Sequence, residues 1–250
     1  MKLNNLKHTL FLLLSVMLVA CSSENKEDKG TDKSVVTENN TVLVEEVLSM
    51  EQQAALTPDM VIQSFKEGNA RFMRNDLTAR DHSKQVRNST YAQFPKAIVL
   101  SCVDSRIPVE DVFDRGIGDI FVARVAGNFV NEDILGSMEF ACKVSGSKLI
   151  MVMGHEHCGA VKAAVDRVEL GNITPMLTKI QPAIETIDYS GPKNSSNEEF
   201  VQLAAEANVQ NTVEKIRENS PILKEMEEAG LIKIVGAVYD MDDGSVRLLK

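Results

Sequence analysis

Four short runs of nearly unbroken apolar residues do most to constrain how this chain can fold. They are KAIVLS (96–101), DIFVARVAG (119–127), SKLIMVMG (147–154) and LIKIVGAVYD (231–240). A strand with one wet face alternates polar and apolar residues. A strand covered on both faces reads as a continuous run, the mark of a parallel sheet between helices. Helical patterns fill the intervals, at 132–145, 159–169, 174–188 and 198–217. Another opens at Thr57, a good N-cap, with Pro58 in the first helical position and Val61, Phe65 and Phe72 at helical spacing. After the last run, DDG (242–244) predicts a tight turn into SVRLL (245–249). The expected class is α/β, a mainly parallel four-stranded sheet plus a C-terminal antiparallel strand, flanked by helices.

The chain divides into three parts. Lys2 and Lys7 precede an apolar stretch, LFLLLSVMLVA (10–20), too short to span a bilayer but suited to a secretory signal. LVAC (18–21) looks like a bacterial lipobox, which implies cleavage before Cys21, lipidation of its sulfur and a 1–20 lipoprotein signal peptide. Residues 21–54 read as the lipidated cysteine and a polar tether, with a short helix accommodated between 42 and 56. Residues 55–250 are long enough for one well-packed core. The expected location is the bacterial cell envelope, anchored by lipid and facing an extracytoplasmic space. The formal net charge is −9 and no Lys/Arg cluster stands out, so nucleic acid is not an expected partner.

Of the four cysteines, Cys21 is assigned to lipid and Cys142, in GSMEFACKV, reads as a small buried residue. Cys102 and Cys158 remain. Cys102 falls just past the carboxyl end of the first strand, in VLSCVDSRIP; His155 and Cys158 follow the third, in VMGHEHCGAV. Open α/β sheets bind ligands beyond the carboxyl ends of their strands, so both stretches reach one edge. Two thiolates and an imidazole are a three-ligand set for one zinc ion, with a fourth position left for water, substrate or a carboxylate. A disulfide between Cys102 and Cys158 competes with that reading in an oxidising compartment. Asp104 can take the fourth position or accept a hydrogen bond from water on the metal, and Arg106 can hold that carboxylate in a fork.

These residues resemble the β-class carbonic anhydrases. The likeness runs from about Leu56 to Leu249 and is carried by SCVDSRIPVE and GHEHCGAVKAAV, supported by KEGNARF, VARVAGN, GNITPMLTKI, SPIL and IVGAVYD. It implies that Cys102, His155 and Cys158 bind one zinc per chain. Asp104 and Arg106 would form the family's dyad, with Asp104 swinging onto zinc in members that have a closed state. Gln93 matches a substrate-binding glutamine donated across a dimer interface. Phe121 and Phe140 match aromatic positions lining the pocket, and Gly159 matches the glycine after the second thiolate. The implied function is reversible hydration of carbon dioxide to bicarbonate and a proton by zinc-bound hydroxide, with Asp104 kept ionised by Arg106 and orienting that hydroxide. The implied assembly is a homodimer or a larger set of dimers.

Two positions depart from the family pattern. Glu156 stands where a small hydroxylated residue is usual, and Phe140 stands where some members have tyrosine. His157 adds an imidazole that can shuttle protons or simply be an exposed loop residue. The same residues would also serve a hydrolase of carbonyl sulfide or carbon disulfide, or a zinc-stabilised bicarbonate-binding module of low turnover. A Cys102–Cys158 redox protein is the remaining alternative.

Overall fold

The computed structural model describes residues 42–250. The expected signal peptide (1–20), Cys21 and the first part of the tether lie outside the described residues. The helices and strands run in the order α1 (Met50–Ala54), α2 (Pro58–Met73), α3 (His82–Asn88), β1 (Ala97–Ser101), α4 (Val109–Val112), β2 (Ile120–Arg124), α5 (Glu132–Glu139), β3 (Leu149–His155), α6 (Gly159–Val165), α7 (Ile173–Leu177), α8 (Gln181–Glu185), α9 (Glu198–Asn219), α10 (Pro221–Glu228), β4 (Lys233–Tyr239) and β5 (Val246–Leu248).

The four apolar runs become β1 to β4, in the sheet order β2-β1-β3-β4-β5. The first four strands are parallel and β5 returns antiparallel to β4. All five residues of β1 and all seven of β3 are buried, as continuous runs require. Alternate residues serve two cores. Val99 and Met151 face Val61, Phe65 and Phe113 on the α2–α4 side. Leu100 and Val152 face Val209, Val213 and Ile216 of α9 on the other.

Thr57 caps α2 as its position predicts, accepting from Met60 N at 3.3 Å. Other elements depart from the periodicity. The helix expected at 174–188 is two, α7 and α8, because Pro182 has no N–H to continue the first and instead sits in the opening turn of the second. The helix expected at 132–145 becomes a π-turn over Phe140–Val144, which widens the coil just where Phe140 leaves the core. The helix expected at 159–169 stops at Val165. Helices α3 and α4 have too few apolar residues to stand out as periodic patterns, and α10, though amphipathic, is only eight residues long. The globular unit also begins earlier than residue 55, since Val44 bridges Arg80 and Gln53 Nε2 donates to Pro95 O at 2.7 Å.

Helix α9 is keyed to the sheet at two glycines. A Cβ added at Gly154 of β3 would lie 2.6 Å from Val209 Cγ2, and one at Gly236 of β4 would lie 2.7 Å from Val209 Cγ1. The two glycines therefore form a notch that Val209 fills, and α9 approaches the sheet closely there.

Candidate metal centre

Strands β1 and β3 are parallel neighbours with Ser101 opposite Met153, so their carboxyl ends finish side by side. The chain past β1 supplies Cys102, the last residue of β3 is His155, and Cys158 is the N-cap of α6. All three are buried, and one ligand atom from each lies within 4.8 Å of the others. Cys102 and Cys158 are free thiols whose sulfurs are 4.0 Å apart, so the expected disulfide competitor is not formed.

His155 is 0 % exposed. Its Nδ1 lies 2.8 Å from Glu156 O, which assigns the ring proton to Nδ1 and leaves a lone pair on Nε2. Nε2 is buried and has no hydrogen-bond partner among the described residues. An orphaned imidazole nitrogen facing two thiols is costly unless a cation receives it, and this donor set fits zinc. The Cys102 thiol is held well below the usual thiol range, chiefly because the Cys158 S–H donates to it, with Gly127 N–H adding to the effect. Cys158, the donor of that pair, is pushed up correspondingly. Zinc binding requires both sulfurs to give up their protons.

Asp104 lies at the rim, with Oδ2 3.9 Å from His155 Nε2. It is turned onto Arg106, whose Nε donates to Oδ1 at 2.9 Å, Nη2 to Oδ2 at 2.8 Å and backbone N to Oδ1 at 3.0 Å. Those bonds hold its carboxyl well below the usual carboxylate range. A free carboxylate, at about 3.9, is already ionised at neutral pH, so what Arg106 contributes there is orientation rather than charge state.

Sequence reasoning missed two residues that shape this edge. Arg124, the last residue of β2, donates from Nε to Cys102 O at 2.8 Å and from Nη2 to Asp104 O at 2.7 Å and Ile107 O at 2.9 Å. It thereby satisfies three carbonyls of the loop that carries the dyad. The signal was present, as Arg124 is the one charge inside its apolar run. Gly127 N donates to Cys102 Sγ at 3.4 Å.

The other expected site residues are not gathered at the cluster within one chain. Gln93 is exposed and precedes β1, whereas Cys102 follows it, so the strand separates them. Phe121 and Phe140 meet edge to face at 6.3 Å between ring centroids. They line an open groove of about 670 Å³ with Ile98, Val122 and Ile134, and none of the three ligands lines it. Gly159 opens α6 into empty space, with nothing within 4 Å of an added Cβ. His157 is exposed in a left-handed backbone conformation, φ 52°. Glu156 turns away from the cluster and accepts from Met241 N at 3.2 Å, pinning the β4–β5 turn.

Comparison with known proteins agrees with this geometry. The carbonic anhydrase family profile matches residues 97–246. A carbonic anhydrase of Mycolicibacterium smegmatis is 35% identical over 192 residues, which are 74% of this chain and 90% of that protein. The crystal structure of a β-carbonic anhydrase from Aspergillus fumigatus superposes with a TM-score of 0.58 at 25% identity, covering 77% of this chain and 90% of that one. One of two tetrameric β-carbonic anhydrases from Sordaria macrospora shares the fold, with a TM-score of 0.55 at 22% identity over 67% of this chain and 90% of that one.

Proposed function

This chain belongs to the β-class carbonic anhydrase family, and from that premise we propose that it interconverts carbon dioxide and bicarbonate with zinc held by Cys102, His155 and Cys158. The observation that carries the reading is the buried convergence of two thiols on an imidazole nitrogen with no other partner. Zinc, when bound there, supplies a Lewis acid that brings the pKa of water to about 7.

The chain's own residues do the rest. Asp104 is an acceptor only, so it orients a reacting water by accepting a hydrogen bond from it. Arg106 occupies both carboxylate oxygens from the outer side and leaves the lone pairs toward His155 free for that contact. Arg124 holds the backbone between them, so the carboxylate does not drift with its loop. His157, exposed beside Cys158, carries the released proton toward solvent in this reading.

The working unit is at least a homodimer. What supports this is the edge of β2, unpaired among the described residues, beside the Phe121–Phe140 groove, an apolar surface that those residues leave open. Gln93, at the far end of β1 from Cys102, then serves the partner's site, and the aromatic groove supplies the dry wall that apolar carbon dioxide needs. The anchor is a lipid on Cys21, supported by LVAC at 18–21, which places the enzyme on the extracytoplasmic side of a bacterial envelope.

The deciding experiment measures zinc content together with stopped-flow hydration of carbon dioxide, on the chain lacking the first 21 residues, between about pH 6.5 and 9. One zinc per chain with rapid turnover is expected. Zinc without turnover at any pH leaves a binding module, and no zinc refutes the site. Sedimentation tests the dimer, and Cys21→Ala tests the anchor by releasing the protein from membranes.

A further inference from the structure

We propose that Asn208, on α9, is a positioning residue of the metal centre, acting through Gly127 on the Cys102 sulfur; the proposal rests on the zinc reading above. Asn208 is 0 % exposed, and its Nδ2 donates to Gly127 O at 2.7 Å. Gly127 N in turn donates to Cys102 Sγ at 3.4 Å. The N–H and C=O of one residue belong to different peptide planes. Holding both fixes the two torsions between them, which in glycine are otherwise the freest in the chain.

Gly127 needs that restraint. Its φ is +83°, and an added Cβ would lie 2.5 Å from Ile180 Cδ1, so no side chain can supply rigidity there. The grip comes from across the fold instead. Val209, the neighbour of Asn208, is seated in the notch of Gly154 and Gly236, and this sets how deeply α9 sits. The depth of the sheet's longest helix is thereby transmitted to the N–H on a metal-binding sulfur. Such donors reduce charge on the sulfur and fix its lone pairs, the usual work of groups one shell out from a metal.

A bland alternative makes Asn208 an ordinary buried polar residue serving helix packing. Its Oδ1 has no partner among the described residues, so the amide is only half satisfied there and carries a desolvation cost. For packing alone an apolar side chain of similar volume would do better. Only Nδ2 has a structural task, and that task is Gly127. Thr212, one turn along α9 and also buried with an unpartnered hydroxyl among the described residues, makes no hydrogen bond to that loop and provides the control.

The test compares the full chain with its Asn208→Leu, Asn208→Ala and Thr212→Val variants. Zinc affinity is measured by competition with a chromophoric chelator, and the sulfur-to-metal charge-transfer band is recorded at saturating cobalt. Asn208→Leu is expected to weaken zinc binding about 10- to 100-fold and to shift the cobalt band, with Thr212→Val unchanged in both. If Asn208→Leu does not fold, Asn208→Ala carries the same comparison. Unchanged affinity and band in the Asn208 variants, whatever their melting temperature, overturns the proposal. Equal losses in the Asn208 and Thr212 variants overturn it too, since helix packing would then be the cause. A parent chain that binds no zinc refutes the zinc reading itself, a result distinguishable from either.

Discussion

Replacing Arg106 separates two roles that an arginine beside a catalytic carboxylate can play. If it mainly kept Asp104 ionised, its loss would be repaired by raising the pH. The structure argues otherwise. Without Arg106 the carboxyl returns toward an ordinary value of about 3.9, roughly three units below neutral pH, and about 99.9 % stays ionised. What is lost is geometry: two of the three hydrogen bonds, at 2.9 and 2.8 Å, leaving only the backbone N–H at 3.0 Å on Oδ1. A carboxylate held by one bond pivots, and a misplacement near 1 Å costs on the order of 10²-fold in rate. Arg106→Ala is therefore expected to lower kcat about 10- to 100-fold, or about 1.4–2.7 kcal/mol, with zinc content retained. Arg106→Lys restores the charge but not the fork, so it should recover little of the loss. The assay is stopped-flow hydration as a function of pH. Recovery of Arg106→Ala at high pH, or full activity in Arg106→Lys, would refute the reasoning.

Acid stability should depend on Asp114, whose buried carboxylate accepts from Arg71 Nε at 2.5 Å, Arg80 Nη1 at 2.6 Å and Thr78 Oγ1 at 2.7 Å. Burial alone would raise this group, but those donors win and lower it to about 2. A depressed folded value stabilises above the unfolded value near 4 and loses that contribution as pH falls toward 2. Asp114→Asn should accordingly cost about 3 kcal/mol in urea unfolding at pH 7, and the gap should close in acid. Gly154→Ala drives a methyl to 2.6 Å from Val209 Cγ2 and should cost about 1–3 kcal/mol. Adding Val209→Ala should then be less damaging than the two single effects summed; strict additivity would show that the notch is not tight. Burial pushes the Cys142 thiol up to about 12, so Cys142→Ala should retain one zinc per chain while Cys102→Ser and Cys158→Ser do not.

Several features of this protein are legible in one dimension because their causes are local. A run such as KAIVLS has no polar face to give water, so it can only be a covered strand. Cys102 and His155 each follow such a run, which brings them to one sheet edge before any packing is considered. The Asp104–Arg106 pair is two residues apart and closes on itself. Other features have causes that lie far away along the chain. Nothing in residues 174–188 alone says that Pro182 starts a new helix rather than bending an old one. Phe140 looks like a core residue by period, yet the π-turn leaves it 50 % exposed on a groove that one chain does not fill.

The sequence by itself determined the order of the strands, the covering of the sheet on both faces and the candidate ligands Cys102, His155 and Cys158. Each follows from hydrophobic period or from residue chemistry, which neighbours in the chain express. Only the tertiary structure decided which carbonyls Arg124 satisfies, how deep α9 sits on Gly154 and Gly236, and that Asn208 reaches Gly127. Those outcomes depend on close approach between segments from 17 residues apart, as for Arg124 and Ile107, to 81 residues apart, as for Asn208 and Gly127. Steric fit at that distance is a property of packed surfaces, and no local pattern encodes it.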